Sequence, residues 1–183
     1  PLVYHEFVYL MLNKPRGYLS ATRDGRQKVV LDLVPDPWRQ RELFPVGRLD
    51  IDTEGFCLLC NDGQLAHRLL SPVRHVPKTY YAEIAGEVTQ ADVAAFAVGI
   101  TLEDGYFTKP AKLEILEAGS QSQVQVEITE GKFHQIKRMF ACMGKSVEYL
   151  KRIKISGVEL DPALAPGELR ELTPQELELL QRV

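Results

Sequence analysis

A chain of 183 residues, 45% hydrophobic and 26% charged, fits a soluble globular protein of one domain, or one domain divided into two packed lobes. Its longest apolar runs, such as Phe56 to Cys60, are too short to cross a bilayer, and no basic-then-apolar signal segment opens it, so a cytoplasmic chain with no membrane partner is expected. A net charge of −3 argues on its face against a polyanionic partner, although the charge is unevenly spread along the chain.

In chain order, Phe7 to Leu12 reads as a strand stopped by the turn-forming Asn13-Lys14-Pro15-Arg16-Gly17. Pro35, Pro37 and Pro45 break the connection that leads to Gly47-Arg48-Leu49-Asp50. Phe56 to Cys60 is a short buried strand, and Asn61-Asp62-Gly63 supplies a turn and a cap for a short helix carrying Leu65, Leu69 and Leu70. Cys57 and Cys60 form a C-x-x-C, but no second Cys or His pair follows at zinc spacing, so both read as buried small hydrophobes.

Thr79 to Ala85 is another strand. Thr89-Gln90-Ala91-Asp92 is a capping-box pattern opening a helix with Val93, Phe96 and Ala97 as its apolar face and Gly99 as its stop. Ala111 to Leu116 is a strand, and 123–129 alternates cleanly, with Val124, Val126 and Ile128 on one side. Ile136, Met139, Phe140 and Met143 then recur at helical spacing before Gly144. Val147 to Ile155 is extended, and Thr173-Pro174-Gln175-Glu176 opens a last helix, with Leu172 and Leu177 at staple spacing. Strands and helices intermix without strict alternation, which predicts a mixed, largely antiparallel α+β fold.

Two basic stretches stand out. Lys132, Lys137, Arg138, Lys145, Lys151, Arg152 and Lys154 are opposed in their segment by Glu148 alone, and Lys14, Arg16, Arg23, Arg26 and Lys28 by Asp24 alone. Such clusters give an acidic molecule a polyanion-binding face, or are merely solvated surface. Asp50 lies in a segment bounded by Gly47 and Gly55, ahead of a rigid strand, where a reactive carboxylate or an ordinary loop aspartate would both be at home. Asp50, Asp52 and Glu54 invite a metal reading but lack the spacing of a calcium loop. Lys137 or Arg138 can flank a helix's packed face and keep a carboxylate ionised. Tyr80 and Tyr81 point to opposite faces of their strand, one toward the core and the other toward a cleft. His67 and His134 have no metal-spaced partner, and no P-loop, dinucleotide fingerprint or serine-hydrolase elbow occurs.

The segment from Gly47 to Gly55 followed by Asn61-Asp62-Gly63 resembles the signature of the pseudouridine synthases that modify ribosomal RNA. Met11 to Gly17, Lys78-Thr79-Tyr80 and Glu130 to Phe140 agree with it in order and spacing, from about Tyr9 to the end. Thr108-Lys109-Pro110-Ala111 and Leu164 to Glu168 look like the branch acting on the small ribosomal subunit. The resemblance implies a pseudouridine synthase fold, with a mainly antiparallel sheet flanked by helices and two packed lobes around a catalytic cleft. It implies that Asp50 is the nucleophile, that Tyr80 lies against the target base and that Lys137 pairs with Asp50. RNA contacts are expected from Lys14, Arg16, Arg48, Lys132 and Arg138. The implied reaction breaks the N1–C1′ bond of a uridine and joins C5 to C1′; nothing is oxidised or hydrolysed overall, so no cofactor and no metal are expected. The whole of 1–183 is expected to be the catalytic domain, acting as a monomer on ribosomal RNA, with none of the S4-type domain such enzymes commonly carry ahead of Pro1. Two other readings stay open. One is a non-catalytic rRNA-binding or assembly factor on the same scaffold; the other is a metal-dependent nuclease built on Asp50, Asp52 and Glu54.

Overall fold

The computed structural model describes residues 6–183; Pro1 lies outside them. In chain order the elements are β1 (Tyr9–Lys14), β2 (Phe44–Pro45), β3 (Glu54–Cys60), α1 (Gly63–Leu70), β4 (Lys78–Ala85), α2 (Gln90–Val98) and β5 (Lys112–Glu117). There follow β6 (Gln121–Ile128), α3 (Gln135–Ala141), β7 (Ser146–Ile155), β8 (Val158–Glu159), β9 (Leu169–Glu171) and α4 (Pro174–Gln181). The fold is α+β. Two compact units compose it, one from the chain up to Arg74 together with Ser156–Val183, the other from His75–Ile155.

In the first unit β1 is central, antiparallel to β3 on one edge and to β9 on the other, while β2 takes the far edge of β3. Leu10, Met11, Leu12, Phe56, Leu58 and Leu59 are wholly buried. Strands covered on both faces carry continuous apolar runs instead of alternation, which explains why Phe56 to Cys60 shows no period. Each such side chain contributes about 1.5–3 kcal/mol by leaving water. Cys57 and Cys60 are buried as well; three residues apart on a strand, they project to opposite faces and cannot clasp one ion. Burial pushes the Cys60 thiol up to about 11, so it stays protonated.

The first strand lies two residues further along than Phe7 to Leu12, starting at Tyr9 and ending at Lys14. Asn13 and Lys14 stay in the ladder opposite Phe56 and Gly55, and Asn13 also exchanges backbone hydrogen bonds with Glu168 and Gly167. Cross-strand pairing here outweighs the turn preference of asparagine, so the turn starts at Pro15.

Asn61 and Asp62 tie this unit together. The Asn61 Oδ1 accepts from the Val8 N–H at 2.8 Å, and its Nδ2 donates to the Arg41 carbonyl at 3.1 Å. Asp62 caps α1 by accepting from the Leu65 N–H, and its other oxygen accepts from the Tyr9 hydroxyl at 2.6 Å. Burial, and then this hydrogen bond, hold the Tyr9 phenol above its ordinary pKa. Replacing Asp62 with alanine is expected to cost about 1–3 kcal/mol, the loss of a cap and of a partly buried hydrogen bond. Asp62→Asn, which retains a capping oxygen, should lose less; urea titration of both variants checks the order.

In the second unit the strands are antiparallel in the order β5-β6-β4-β7. The alternation along β6 is realised, with Val124, Val126 and Ile128 buried. Helix α2 lies on β5 and α3 on β7, and Phe96 meets Phe140 with centroids 4.9 Å apart. The inward face of α2 differs from its apolar pattern: Phe96 and Asp92 turn in, while Ala97 is exposed. The cause is electrostatic. Asp92 accepts from the Thr89 N–H in the capping box and pairs with the Lys145 ammonium at 3.1 Å, so its charge is buried with a partner. The Thr173–Glu176 capping box of α4 forms as expected. Among the described residues no helix is long and apolar enough to cross a membrane.

Candidate active site

The segment between Gly47 and Gly55 is held by its main chain. Both glycines adopt positive φ, 82° and 109°, which side-chain-bearing residues rarely do, so the chain turns sharply at each end. Between them, Leu49 is buried and its N–H donates to the Ser20 hydroxyl at 3.0 Å, while that hydroxyl donates to the Leu49 carbonyl at 3.2 Å. The Asp50 carbonyl accepts from Thr53 N–H at 2.9 Å, and the Ile51 carbonyl from Gly17 N–H at 2.8 Å. The Arg16 Nε donates to the Asp52 carbonyl at 3.2 Å.

The strongest hold is Lys14. Its side chain is wholly buried, and the ammonium lies 2.7–3.2 Å from the carbonyls of Pro15, Asp50, Ile51 and Thr53. Burial lowers its pKa to about 8, with Cys57, Asp52, Glu54 and Asp50 acting in the opposite sense. A cation thus sits inside the turn that carries Asp50, bound to the backbone on both sides of that residue. Apart from the bond to the Pro15 carbonyl, these bonds engage backbone atoms of the loop. Asp50 itself is half-buried, and Ile51 and Asp52 are exposed.

The first unit therefore gathers Asp50, Lys14 and Arg16 around one loop, with Arg48 exposed two residues earlier. The other expected residues belong to the second unit. Tyr80 is buried on β4, opposite Val126 on one side and Arg152 on the other, and its ring shares a face with Lys78 and Ala82. Tyr81 occupies the opposite face, where its hydroxyl donates to Glu83. Lys137 is half-buried on α3. Lys132 is exposed, its ammonium 4.9 Å from the Tyr106 ring centroid.

Two of the expected RNA contacts take on other work. Lys14 has no accessible surface and directs its donors inward to carbonyls, so it presents no charge to a phosphate. Arg138 pairs through Nε with Glu103 at 2.6 Å and through a terminal nitrogen with Asp104 at 2.8 Å, and its other terminal nitrogen donates to the Phe133 carbonyl. Its charge is met inside the molecule. The metal reading of Asp50, Asp52 and Glu54 finds no support, since among the described residues no group of three or more such side chains could hold an ion. Sequence reasoning also missed Ser20 and Gly17 as holders of the loop; Ser20 lies in a connection without pattern, and Gly17 reads only as the end of a turn.

The family model described as RNA pseudouridylate synthase matches residues 8–142. The uncharacterized RNA pseudouridine synthase YtzG of Bacillus subtilis is 55% identical over 181 residues, which is 98% of this chain and 76% of that protein. Ribosomal small subunit pseudouridine synthase A of Escherichia coli is 44% identical over 172 residues, 92% of this chain and 72% of that one. A crystal structure of a pseudouridylate synthase superposes with a TM-score of 0.89 at 43% identity, covering 96% of this chain and 74% of the other.

Proposed function

Because the chain belongs to the RNA pseudouridylate synthase family, a family of isomerases, we propose that it converts a uridine of small-subunit ribosomal RNA to pseudouridine with Asp50 as nucleophile. What carries this is the hold on the Asp50 loop: a half-buried carboxylate whose backbone is fixed from both sides by Lys14, Ser20 and Gly17. Fixing the main chain orders the nucleophile before substrate arrives, so less entropy is lost on reaching the reacting geometry. The choice of small-subunit RNA is supported by the likeness to the Escherichia coli enzyme named for it.

The target uridine leaves its stack at a cost of a few kcal/mol, offset by contacts to base and phosphates. The Asp50 carboxylate assists departure of uracil from C1′, the detached base turns, and C5 bonds to C1′ while N1 gains a hydrogen and C5 loses one. Tyr80 is assigned to the uracil ring and Lys137 to the counter-charge of Asp50. Arg16, Arg48 and Lys132 are assigned to phosphates.

The hydrogen lost from C5 provides the assay. A small-subunit rRNA transcript carrying tritium at uracil C5 should release label to water on incubation with the protein, without change in RNA length. Pseudouridine maps of rRNA from cells with and without the protein should differ at a small-subunit position; identical maps refute the assignment.

A further inference from the structure

Residues 130–134, between β6 and α3, form a loop that the second unit holds from several directions. Glu130 is buried, and its carboxylate accepts from the Tyr106 hydroxyl, from the Lys109 N–H at 2.7 Å and from the Gln135 side-chain amide at 3.0 Å. The Gln135 side-chain oxygen in turn accepts from the Lys132 N–H at 3.1 Å, and the Gln135 N–H donates to the Lys132 carbonyl. Arg138, anchored by Glu103 and Asp104, donates to the Phe133 carbonyl at 2.8 Å. A buried carboxylate, a buried amide and a doubly paired guanidinium are thus committed to one short turn.

What the turn displays is an aromatic ring. Phe133 is 74% exposed. It lies flat on the His134 imidazole, centroids 3.8 Å apart and planes inclined by 17°, and His134 adopts the left-handed backbone conformation that permits this. With one face on His134, the outer face and rim of the phenyl ring meet solvent. Lone exposed apolar side chains are ordinary. A ring that is stacked from behind, flanked by the exposed Lys132 and mounted on a loop ordered by buried groups is not, because its ordering entropy is already lost before any partner binds.

We propose that the outer face of Phe133, backed by His134, is a stacking platform for an unpaired base of the substrate RNA, with Lys132 beside it for the adjoining phosphate. This rests on the RNA-modifying role proposed above and adds a contact outside the reacting nucleotide. A flat π-face accepts any base, and a neighbouring cation follows the backbone, the combination used to hold single-stranded segments.

The test is equilibrium filter binding of a small-subunit rRNA transcript to the whole chain, alongside tritium release. Phe133→Ala is expected to weaken binding about tenfold, in the range for loss of one base–aromatic stack, with the salt dependence unchanged. Phe133→Leu should be as weak as the alanine variant, whereas Phe133→Trp should bind like wild type. Lys132→Ala should instead flatten the salt dependence by about one phosphate contact. Turnover at saturating RNA should be unchanged in the Phe133 variants. Equal binding by wild type and Phe133→Ala, or restoration of binding by leucine, overturns the platform while leaving the enzymatic role intact. A wild-type chain that binds no rRNA removes the enzymatic role and, with it, the platform.

Discussion

Asp50→Asn is expected to release no measurable tritium from C5-labelled rRNA, a fall of at least roughly a thousandfold, on the scale of removing other catalytic nucleophiles. The substitution is nearly isosteric. The loop contacts of Lys14, Ser20, Gly17 and Arg16 all run to main-chain atoms of 49–53, so the amide variant keeps them. Its unfolding curve and its affinity for rRNA should therefore stay near those of wild type while the chemistry stops, because an amide oxygen is a poor nucleophile and carries no charge. Wild-type conversion by Asp50→Asn would remove the assignment outright. Loss of activity together with loss of fold would mean that the carboxylate has a structural task.

Lys14→Met should give the opposite pattern, with both stability and activity lost. Methionine fills similar volume but leaves the carbonyls of Pro15, Asp50, Ile51 and Thr53 without this donor, around a side chain that has no accessible surface. Leaving such carbonyls without their donor costs about 1–3 kcal/mol. The Asp50 loop loses the tie that spans it, so turnover falls even in the molecules that remain folded. Denaturant titration and tritium release on the same samples measure both. The pH dependence supplies a further check. The Lys14 pKa is about 8 in the folded chain against an ordinary 10.5, so between these values the unfolded chain binds the extra proton. By linkage, stability contributed at this position rises with pH across that window, as the cost of burying the charge is relieved. The stability gap between wild type and Lys14→Met should widen from pH 8 to 10.5. A gap that narrows there would contradict a buried, depressed ammonium.

The same lysine shows where sequence stops being informative. In the chain it is one of several cations near Arg16, Arg23, Arg26 and Lys28, and nothing in composition separates it from them. Its inward course depends on β1 continuing through Asn13 to Lys14 opposite Gly55, a pairing set by residues more than forty positions away. Arg138 is similar: its partners Glu103 and Asp104 approach from a distant turn. Local features were readable because their causes are local. The alternation along β6, the Asp62, Thr89 and Thr173 caps, and the apolar face of α3 each involve neighbours within a few residues. The two- and three-residue strands β2, β8 and β9 are too short to show a period. The glycine-bounded Asp50 segment was visible as a motif, whereas the hydroxyl and amide that grip it were not.

The first unit is assembled from two stretches of chain separated by all of His75–Ile155. During synthesis from the ribosome, β1 can join β3 early, but its other edge waits for β9, more than a hundred and fifty residues downstream. Until that strand emerges, a row of unpaired amides and carbonyls is open to adhesion by other chains. The intervening unit, contiguous in sequence, has all its own strands in hand first. A nascent polypeptide stalled before Leu169 would thus carry an open seam, and its solubility should improve sharply once translation passes that point.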